Sequence, residues 1–165
     1  MKYKTLLAGL ALCTSPAFAS EFSLGAGVNY IDDGDISLSS PAITYGYRFN
    51  DNFSLGGEIA AGGDDTYEFV NFDLDSYVSI KAQFGGKVGD GYMFVSAGAY
   101  SAEVSANGCL GLFCASLTED GSGGLLGVGG QIPINDNWLF DFSLDRSFGD
   151  FDNAKSFTAS VRYRF

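Results

Sequence analysis

The sequence contains no histidine, and this absence removes several classes of catalytic site. Among the 165 residues, nine Lys and Arg stand against 20 Asp and Glu, which gives a net charge of −11. Without histidine the chain has no Ser-His hydrolase arrangement and no His-ligated metal or haem. Nucleic acid binding depends on Lys and Arg contacts with phosphates, so the charge balance argues against nucleic acid as a partner.

Long apolar runs are also missing, because the run at residues 6–13 is too short for a transmembrane helix of about 20 residues. This run follows two lysines and precedes the Ala-Phe-Ala sequence at residues 17–19, which is the order found in a secretory signal peptide. We therefore expect residues 1–19 to be a signal peptide and residues 20–165 to form one domain. Removal of the two lysines would leave seven cations against 20 acids, a charge of −13.

In the rest of the sequence, apolar and polar residues alternate strictly over several segments. In the last segment Phe157, Val161 and Phe165 occupy odd positions, and Ser156 and Arg162 occupy even ones. A period of two is typical of a β-strand with two unlike faces. The same period occurs in eight segments, so the sequence predicts an all-β domain with strands at residues 22–30, 42–49, 53–61, 72–84, 92–104, 126–134, 138–145 and 156–165.

The connections between these segments fall into two classes that alternate along the chain. Short turns rich in Gly, Asn and Asp occupy residues 50–52, 85–91 and 135–137. Longer and more polar segments, which we expect to be loops, occupy residues 32–40, 62–71, 105–122 and 149–154. Three short turns at one end and four long loops at the other are typical of eight antiparallel strands in up-and-down order.

The two faces of the predicted strands differ in charge, and this difference selects the architecture. The apolar rows carry no charge, whereas the opposite rows carry both signs, at Arg48, Glu58, Asp73, Asp75, Lys81, Glu103, Asp141, Asp145, Arg162 and Arg164. So many ionisable groups cannot share a sandwich core, because an unpaired buried charge costs several kcal/mol. The interior of a transmembrane barrel can hold them as pairs while lipid contacts the apolar rows.

The segment at residues 92–104 has apolar residues on both faces. We place Tyr92, Phe94, Tyr100 and Val104 on the lipid face, because the opposite choice would turn Glu103 outward.

Aromatic residues concentrate near both ends of the strands, as expected at two membrane–water interfaces. The predicted belt at the turn end is Tyr47, Phe49, Phe53, Phe84, Tyr92, Trp138, Tyr163 and Phe165, and the belt at the loop end is Tyr30, Phe72, Tyr100, Phe148 and Phe157.

The leader, the eight alternating segments and the final residues 161–165 (VRYRF) together resemble the small OmpA/OmpX/Ail-type outer-membrane β-barrel superfamily. Residues 43–57 (ITYGYRFNDNFSLGG) resemble that family's second strand, periplasmic turn and third strand. The resemblance implies an eight-stranded antiparallel transmembrane barrel with four long extracellular loops and three short periplasmic turns, in the outer membrane of a Gram-negative bacterium. It also implies that Val161, Tyr163 and Phe165 form the signal for the barrel assembly machinery.

The interior charges are the first candidate site. An eight-stranded barrel is only just wide enough for its own side chains, so we expect Arg48, Glu58, Lys81, Asp141 and Arg162 to form a paired network. Asp141 and Arg162 should lie at similar heights on neighbouring strands and form an ion pair. The alternative is a narrow channel or transporter for small solutes.

The two cysteines of the longest loop are the second candidate site. Cys109 and Cys114 would form an intraloop disulfide in an exported protein. The disulfide would hold Leu110, Leu112 and Phe113 at the tip of the loop. There they either form a contact patch or fold back against the rim of the barrel. No zinc site is expected from two thiolates without histidine.

The expected function is non-enzymatic: a structural or surface-interaction role, adhesin-like, through the extracellular loops. The expected partners are outer-membrane lipid and lipopolysaccharide, reached through divalent cations because the loops are acidic, and the assembly machinery during biogenesis. We expect a monomer without cofactor or metal.

Overall fold

A computed structural model describes residues 21–34, 36–67, 70–110 and 113–165, with the backbone alone described at Tyr67, Cys109, Leu110 and Phe113. The predicted signal peptide lies outside the described residues. No helix in the described part is long and apolar enough to cross a membrane. The strands assigned there are β1 (Glu21–Asp32), β2 (Ser37–Arg48), β3 (Phe53–Ala60), β4 (Gly63–Tyr67), β5 (Val70–Val88), β6 (Gly91–Leu110), β7 (Phe113–Pro133), β8 (Trp138–Gly149) and β9 (Lys155–Arg164).

Antiparallel pairing between consecutive strands closes the sheet into a barrel, because the last strand, β9, pairs with the first, β1. The strands β3 and β4 both pair with β5, and they form one barrel strand that is interrupted at Ala61 and Gly62. Gly62 has a φ of +79°, a left-handed conformation that side chains disfavour. The barrel therefore has eight strands, and the predicted fold class is confirmed.

The side chains of the predicted lipid-facing rows are exposed or half-buried on β1, β2, β7, β8 and β9, as the alternation indicates. Around the turn end, aromatic rings on this face touch one another in two arcs. One arc joins Trp138, Tyr163, Phe165 and Phe22, with ring centroids 5.0–5.7 Å apart. The other arc, with centroids 4.7–5.2 Å apart, joins Tyr47, Phe49, Phe53 and Phe84. These arcs have the form of an interfacial aromatic girdle.

Two of the predicted long loops are wrong, because paired strands continue through most of them. The strands β4 and β5 stay paired as far as Tyr67 and Val70, and β6 and β7 stay paired as far as Leu110 and Phe113. Water reaches both faces of a hairpin that extends past the barrel, so neither face needs an apolar row. The alternation that identifies a strand is therefore absent from these segments although the backbone pairing persists.

The predicted interior positions of Asp73 and Asp75 are also wrong. The register between β5 and β6 shifts between Leu74 and Ser76, which leaves Asp75 as an extra residue in a β-bulge. A bulge exchanges the two faces of the strand beyond it. Asp75 is consequently exposed, while Leu74 is only 1% exposed and Phe72 is partly buried against the interior apolar residues.

The faces of β6 are the reverse of the prediction. Tyr92, Phe94 and Tyr100 point into the barrel, and Met93 and Val95 are exposed on the lipid face.

Glycines on β7 make room for the interior rings of β6. A Cβ at Gly129 would lie 2.5 Å from Cζ of Phe94, and a Cβ at Gly123 would lie 3.0 Å from Cε1 of Tyr100. Glu103 does turn outward, but it lies opposite Asp120 on the extended hairpin. The outward position of Glu103 is therefore no reason to place Tyr92, Phe94 and Tyr100 on the lipid face.

Gly129→Ala tests this fit between glycines and rings. The new Cβ would meet the Phe94 ring and, at 2.4 Å, the carbonyl oxygen of Phe142. We expect a loss of about 1–3 kcal/mol in the free energy of unfolding, as for other overpacked sites. Urea unfolding of the refolded barrel in micelles measures it. The matched control is Gly86→Ala, where the new Cβ meets nothing within 4 Å; equal stability of the two variants would contradict the packing described here.

Candidate functional site

The middle of the barrel interior is filled by a group of polar side chains that we call the central layer: Glu58, Lys81, Ser96, Ser143 and Asp145. Lys81 Nζ lies 2.7 Å from Asp145 Oδ2 and 3.9 Å from Glu58 Oε1. Ser96 Oγ donates to the other oxygen of Asp145 at 3.2 Å, and Lys81 donates to Ser143 Oγ at 3.2 Å. All five are buried. Each buried charge therefore has an opposite charge or a hydroxyl dipole beside it, as a low-dielectric interior requires.

A second polar group, the turn-end layer, lies nearer the short turns and consists of Thr44, Arg48, Gln131, Asp141 and Arg162. Arg162 Nη2 lies 2.9 Å from Asp141 Oδ1, the ion pair that the sequence predicts. Arg162 Nε also donates to Thr44 Oγ1 at 3.1 Å, and Gln131 Nε2 donates to Asp141 Oδ2 at 3.0 Å. Asp141 thus forms an ion pair with one of the other four residues and accepts a hydrogen bond from another.

Two of the interior contacts cross the lumen rather than follow its wall. Arg48 on β2 donates to Gln131 on β7, and these two strands lie on opposite sides of the eight-stranded barrel. Lys81 on β5 reaches Asp145 on β8, past the two strands between them. One void beside the turn-end layer, lined by Ser54 and Gln83 among others, is about 10 Å³, room for about one water molecule. The side chains of the described residues therefore close the barrel.

An apolar cluster covers the central layer at the loop end, and sequence reasoning missed it. We call it the mouth cluster; its main members are Leu38, Leu74, Tyr77, Tyr100, Leu125 and Phe151. The rings of Tyr77 and Tyr100 lie 6.2 Å apart, and the Phe151 amide donates to the Tyr100 hydroxyl at 3.2 Å. A cavity of about 110 Å³ remains between these side chains. The cluster depends on the Asp75 bulge and on the reversed faces of β6, neither of which alternation reveals.

The structure brings the five predicted network residues into the interior in two separate groups. Glu58 and Lys81 belong to the central layer, which also includes Asp145, and Asp141 and Arg162 pair in the turn-end layer. Arg48 is different, because its contacts in the described part are neutral ones: Gln131 Oε1 and the face of the Tyr92 ring, 4.4 Å from the guanidinium carbon.

The predicted disulfide lies at the far end of the β6–β7 hairpin. Cys109 and Cys114 are directly opposite each other in the backbone ladder, and Cys114 is disulfide-bonded. The Cys109 side chain lies outside the described part, so the pairing of the two sulfurs stays a prediction. Of the predicted contact patch, Leu112 and the side chains of Leu110 and Phe113 also lie outside the described part.

The charged residues in the described parts of the hairpins that extend past the barrel are acidic. Asp64 lies directly opposite Asp73, and Glu103 lies directly opposite Asp120. No group of three or more acidic or cysteine side chains among the described residues is placed to hold a metal ion. Like charges directly opposite each other weaken a strand pair. The stability of the hairpins therefore does not explain why acidic residues occupy these positions.

The predicted assembly signal lies on the lipid face of the last strand. Val161 and Phe165 are exposed there, Tyr163 is half-buried, and the Phe165 amide donates to the carbonyl of Phe22 at 3.0 Å. Its recognition by an assembly machinery stays a prediction.

Lys81→Met tests the central layer. Removal of the only cation in contact with Asp145 and Glu58 would leave two buried carboxylates without an opposite charge in the described interior. We expect a loss of about 3–5 kcal/mol in the free energy of unfolding, measured with urea in micelles. Arg146→Met removes an exposed cation of β8, next to Asp145 in sequence, and serves as the control. A Lys81→Met variant that is no less stable than this control would contradict the assignment.

Comparison with solved structures identifies barrels of the same kind. Ail, the attachment invasion locus protein of Yersinia pestis, superimposes with a TM-score of 0.62 at 20% identity over 88% of this chain and 97% of Ail. The outer membrane protein OprG of Pseudomonas aeruginosa gives 0.67 at 12% identity over 90% of this chain and 97% of OprG. Ail has also been solved in complex with the heparin analogue sucrose octasulfate, with a TM-score of 0.61 and 19% identity over 88% of this chain and 97% of that one. These likenesses concern the fold.

A search of curated proteins gives no match. The model of the outer membrane protein beta-barrel domain matches residues 5–165, nearly the whole chain. Its match agrees with the closed eight-stranded barrel. The chain belongs to the outer membrane protein beta-barrel domain family, and its place is the outer membrane of Gram-negative bacteria.

Proposed function

We propose that the protein is a non-conducting outer-membrane barrel that interacts with other molecules through its extended hairpins. The observation that carries the proposal is the length of β6 and β7, which have 20 and 21 residues. About 9–11 tilted residues cross the hydrocarbon layer. The remaining residues extend the β6–β7 hairpin about 30 Å beyond the membrane at about 3.3 Å per residue. An outward hairpin of this length has no role in closing the barrel.

The charge of the hairpins indicates what kind of surface they contact. The sequence has no Lys or Arg from residue 62 to residue 80, or from residue 88 to residue 145. The first stretch contains five Asp and Glu, and the second contributes Glu103, Glu119 and Asp120 to the β6–β7 hairpin. A cationic partner fits this surface, and lipopolysaccharide fits it only when divalent cations bridge the two. The heparin analogue bound by Ail is a polyanion, and we infer that this chain's hairpins repel such a ligand.

The end of the β6–β7 hairpin supplies the apolar part of the proposed contact. Leu110, Leu112 and Phe113 lie between the two cysteines in sequence, and Leu117 on β7 is 67% exposed. A Cys109–Cys114 disulfide would close a short ring and contribute roughly 2 kcal/mol to the stability of the hairpin end. It would hold the apolar residues together at the place most distant from the membrane.

The alternative function, a narrow channel for small solutes, fits the interior less well. A channel needs a continuous water path, and here Lys81 and Arg48 meet partners across the lumen. In planar bilayers we expect no steady single-channel steps from the refolded protein; their appearance would favour the channel. Enzymatic activity is not part of the proposal, since the chain lacks the histidine that most hydrolytic sites use.

The proposal includes the processing of the chain. Residues 1–19 are removed as a signal peptide, the final residues Val161, Tyr163 and Phe165 are recognised during assembly, and the barrel acts as a monomer without cofactor.

Neutralising the hairpin acids tests the charge of the contact. Purified protein in nanodiscs should bind an immobilised oligolysine peptide and should not bind sucrose octasulfate. For Glu119→Gln with Asp120→Asn we expect peptide binding to weaken about two- to thirtyfold, because exposed ion pairs contribute about 0.2–1 kcal/mol each. Asp51→Asn with Asp136→Asn, at the exposed short turns, is the matched control. Equal loss in both variants, or binding of the octasulfate, would contradict the proposal.

In-cell photocrosslinking tests whether the hairpin has a partner at all. A crosslinker at Leu117 should give a discrete product, and one at Asp136 on the opposite end should not give the same product. Identical products from both positions would show that the contacts are not specific to the hairpin.

A further inference from the structure

A cavity of about 450 Å³ opens at the turn end of the barrel, opposite to the hairpins and distinct from the proposed contact surface. Its size lies within the range of small-molecule pockets. The lining differs from that of the apolar mouth cluster, because three cationic side chains and one carboxylate form the charged part of the wall: Arg48, Lys87, Arg164 and Asp90.

Arg48 and the exposed Lys87 are the cations of this wall that have no carboxylate partner among the described residues, and of the two only Arg48 is partly buried. Lys81 and Arg162 pair with buried carboxylates, and Arg164 Nε lies 3.8 Å from Glu21 Oε1. Arg48 instead contacts the Gln131 side-chain oxygen and the Tyr92 ring, both of them neutral. Its Nε is buried without a hydrogen-bond partner. A positive charge held at the edge of a barrel interior without an anion is costly unless an anion can reach it.

The neighbours of Arg48 leave the cavity with an excess of positive charge. Lys87 and Asp90 lie on the hairpin between β5 and β6, where both are exposed. Arg164 directs Nη2 to the carbonyls of Asn135 and Asp136, at 3.1 and 2.8 Å. These hydrogen bonds fix its guanidinium at the rim without neutralising it. Asp90 and Glu21, the carboxylate 3.8 Å from Arg164, can offset two of the three positive charges, and one remains.

We propose that the turn-end cavity is a binding site for a small anion that carries a carboxylate or a phosphate group, with Arg48 as its main ligand. A guanidinium presents donors in a planar fork that matches both groups. Gln131 and Tyr92 hold that plane in place from two sides, and Lys87 and Arg164 supply further positive charge at the rim. Farther from the short turns, the Arg162–Asp141 pair and the Lys81–Asp145 pair occupy the lumen, so the site retains the anion and does not conduct it inward.

NMR titration of the full mature barrel in micelles tests the proposal. Inorganic phosphate and succinate are the two probes, and sodium chloride at equal ionic strength is the reference. We expect saturable shifts of the backbone amides from Gly89 to Tyr92 and at Gln131. Arg48→Gln should weaken binding at least about tenfold, since a charge-assisted hydrogen bond contributes about 1.5–3 kcal/mol. The matched control, Arg146→Gln, removes an exposed cation at the opposite end and should bind as the wild type does.

Linear shifts that never saturate, or equal binding by Arg48→Gln, would show an adventitious ion only and would overturn the proposal. If Arg48→Gln does not refold, Lys87→Gln replaces an exposed residue and should weaken binding a few-fold, whereas unchanged binding would count against the site. The relative affinities of phosphate and succinate decide which of the two groups the cavity prefers. The variant Glu119→Gln with Asp120→Asn should leave this titration unchanged, so the outcome is independent of the hairpin contact.

Discussion

The pairing of charges inside the barrel is the interaction on which the rest of the structure depends. A strand that turns apolar side chains to lipid must turn its other side chains inward, and here that inward set includes Glu58, Lys81, Asp141, Asp145 and Arg162. An unpaired charge in such an interior costs several kcal/mol. The contacts between Lys81 and Asp145 and between Arg162 and Asp141 offset this cost, and the first of them also joins two strands that are not neighbours in the sheet.

Because side chains fill the interior, the surfaces available for binding lie at the loop end and the turn end of the barrel. These two ends differ in chemistry. At the loop end, the mouth cluster covers the central layer with apolar side chains, and the hairpins beyond it are acidic. The turn end has an open polar cavity in which Arg48 faces solvent without a carboxylate. The same barrel wall thus separates a surface suited to cationic partners from a cavity suited to small anions.

The fold could be predicted from the sequence wherever one face of a strand meets lipid and the other meets charge. The last strand is the clearest example, because Phe157, Val161 and Phe165 alternate with Ser156 and Arg162, and the same reasoning gave the Asp141–Arg162 pair. It fails on β6, where both rows are apolar and the glycines of a neighbouring strand decide which row turns inward. It fails also at the Asp75 bulge, since a single extra residue leaves no periodic signal in the sequence. It fails in the projecting hairpins as well, since a strand pair with water on both faces needs no apolar row.

A double-mutant cycle on Arg162 and Asp141 tests most directly whether the interior charges neutralise one another. Urea unfolding in micelles would compare Arg162→Gln, Asp141→Asn, the double variant and the wild type. If the two charges depend on each other, each single variant loses about 3–5 kcal/mol, and the double variant loses about 1–3 kcal/mol less than the two losses combined. Losses that add to within about 0.5 kcal/mol would show that the two charges do not interact, and would contradict the paired and closed interior.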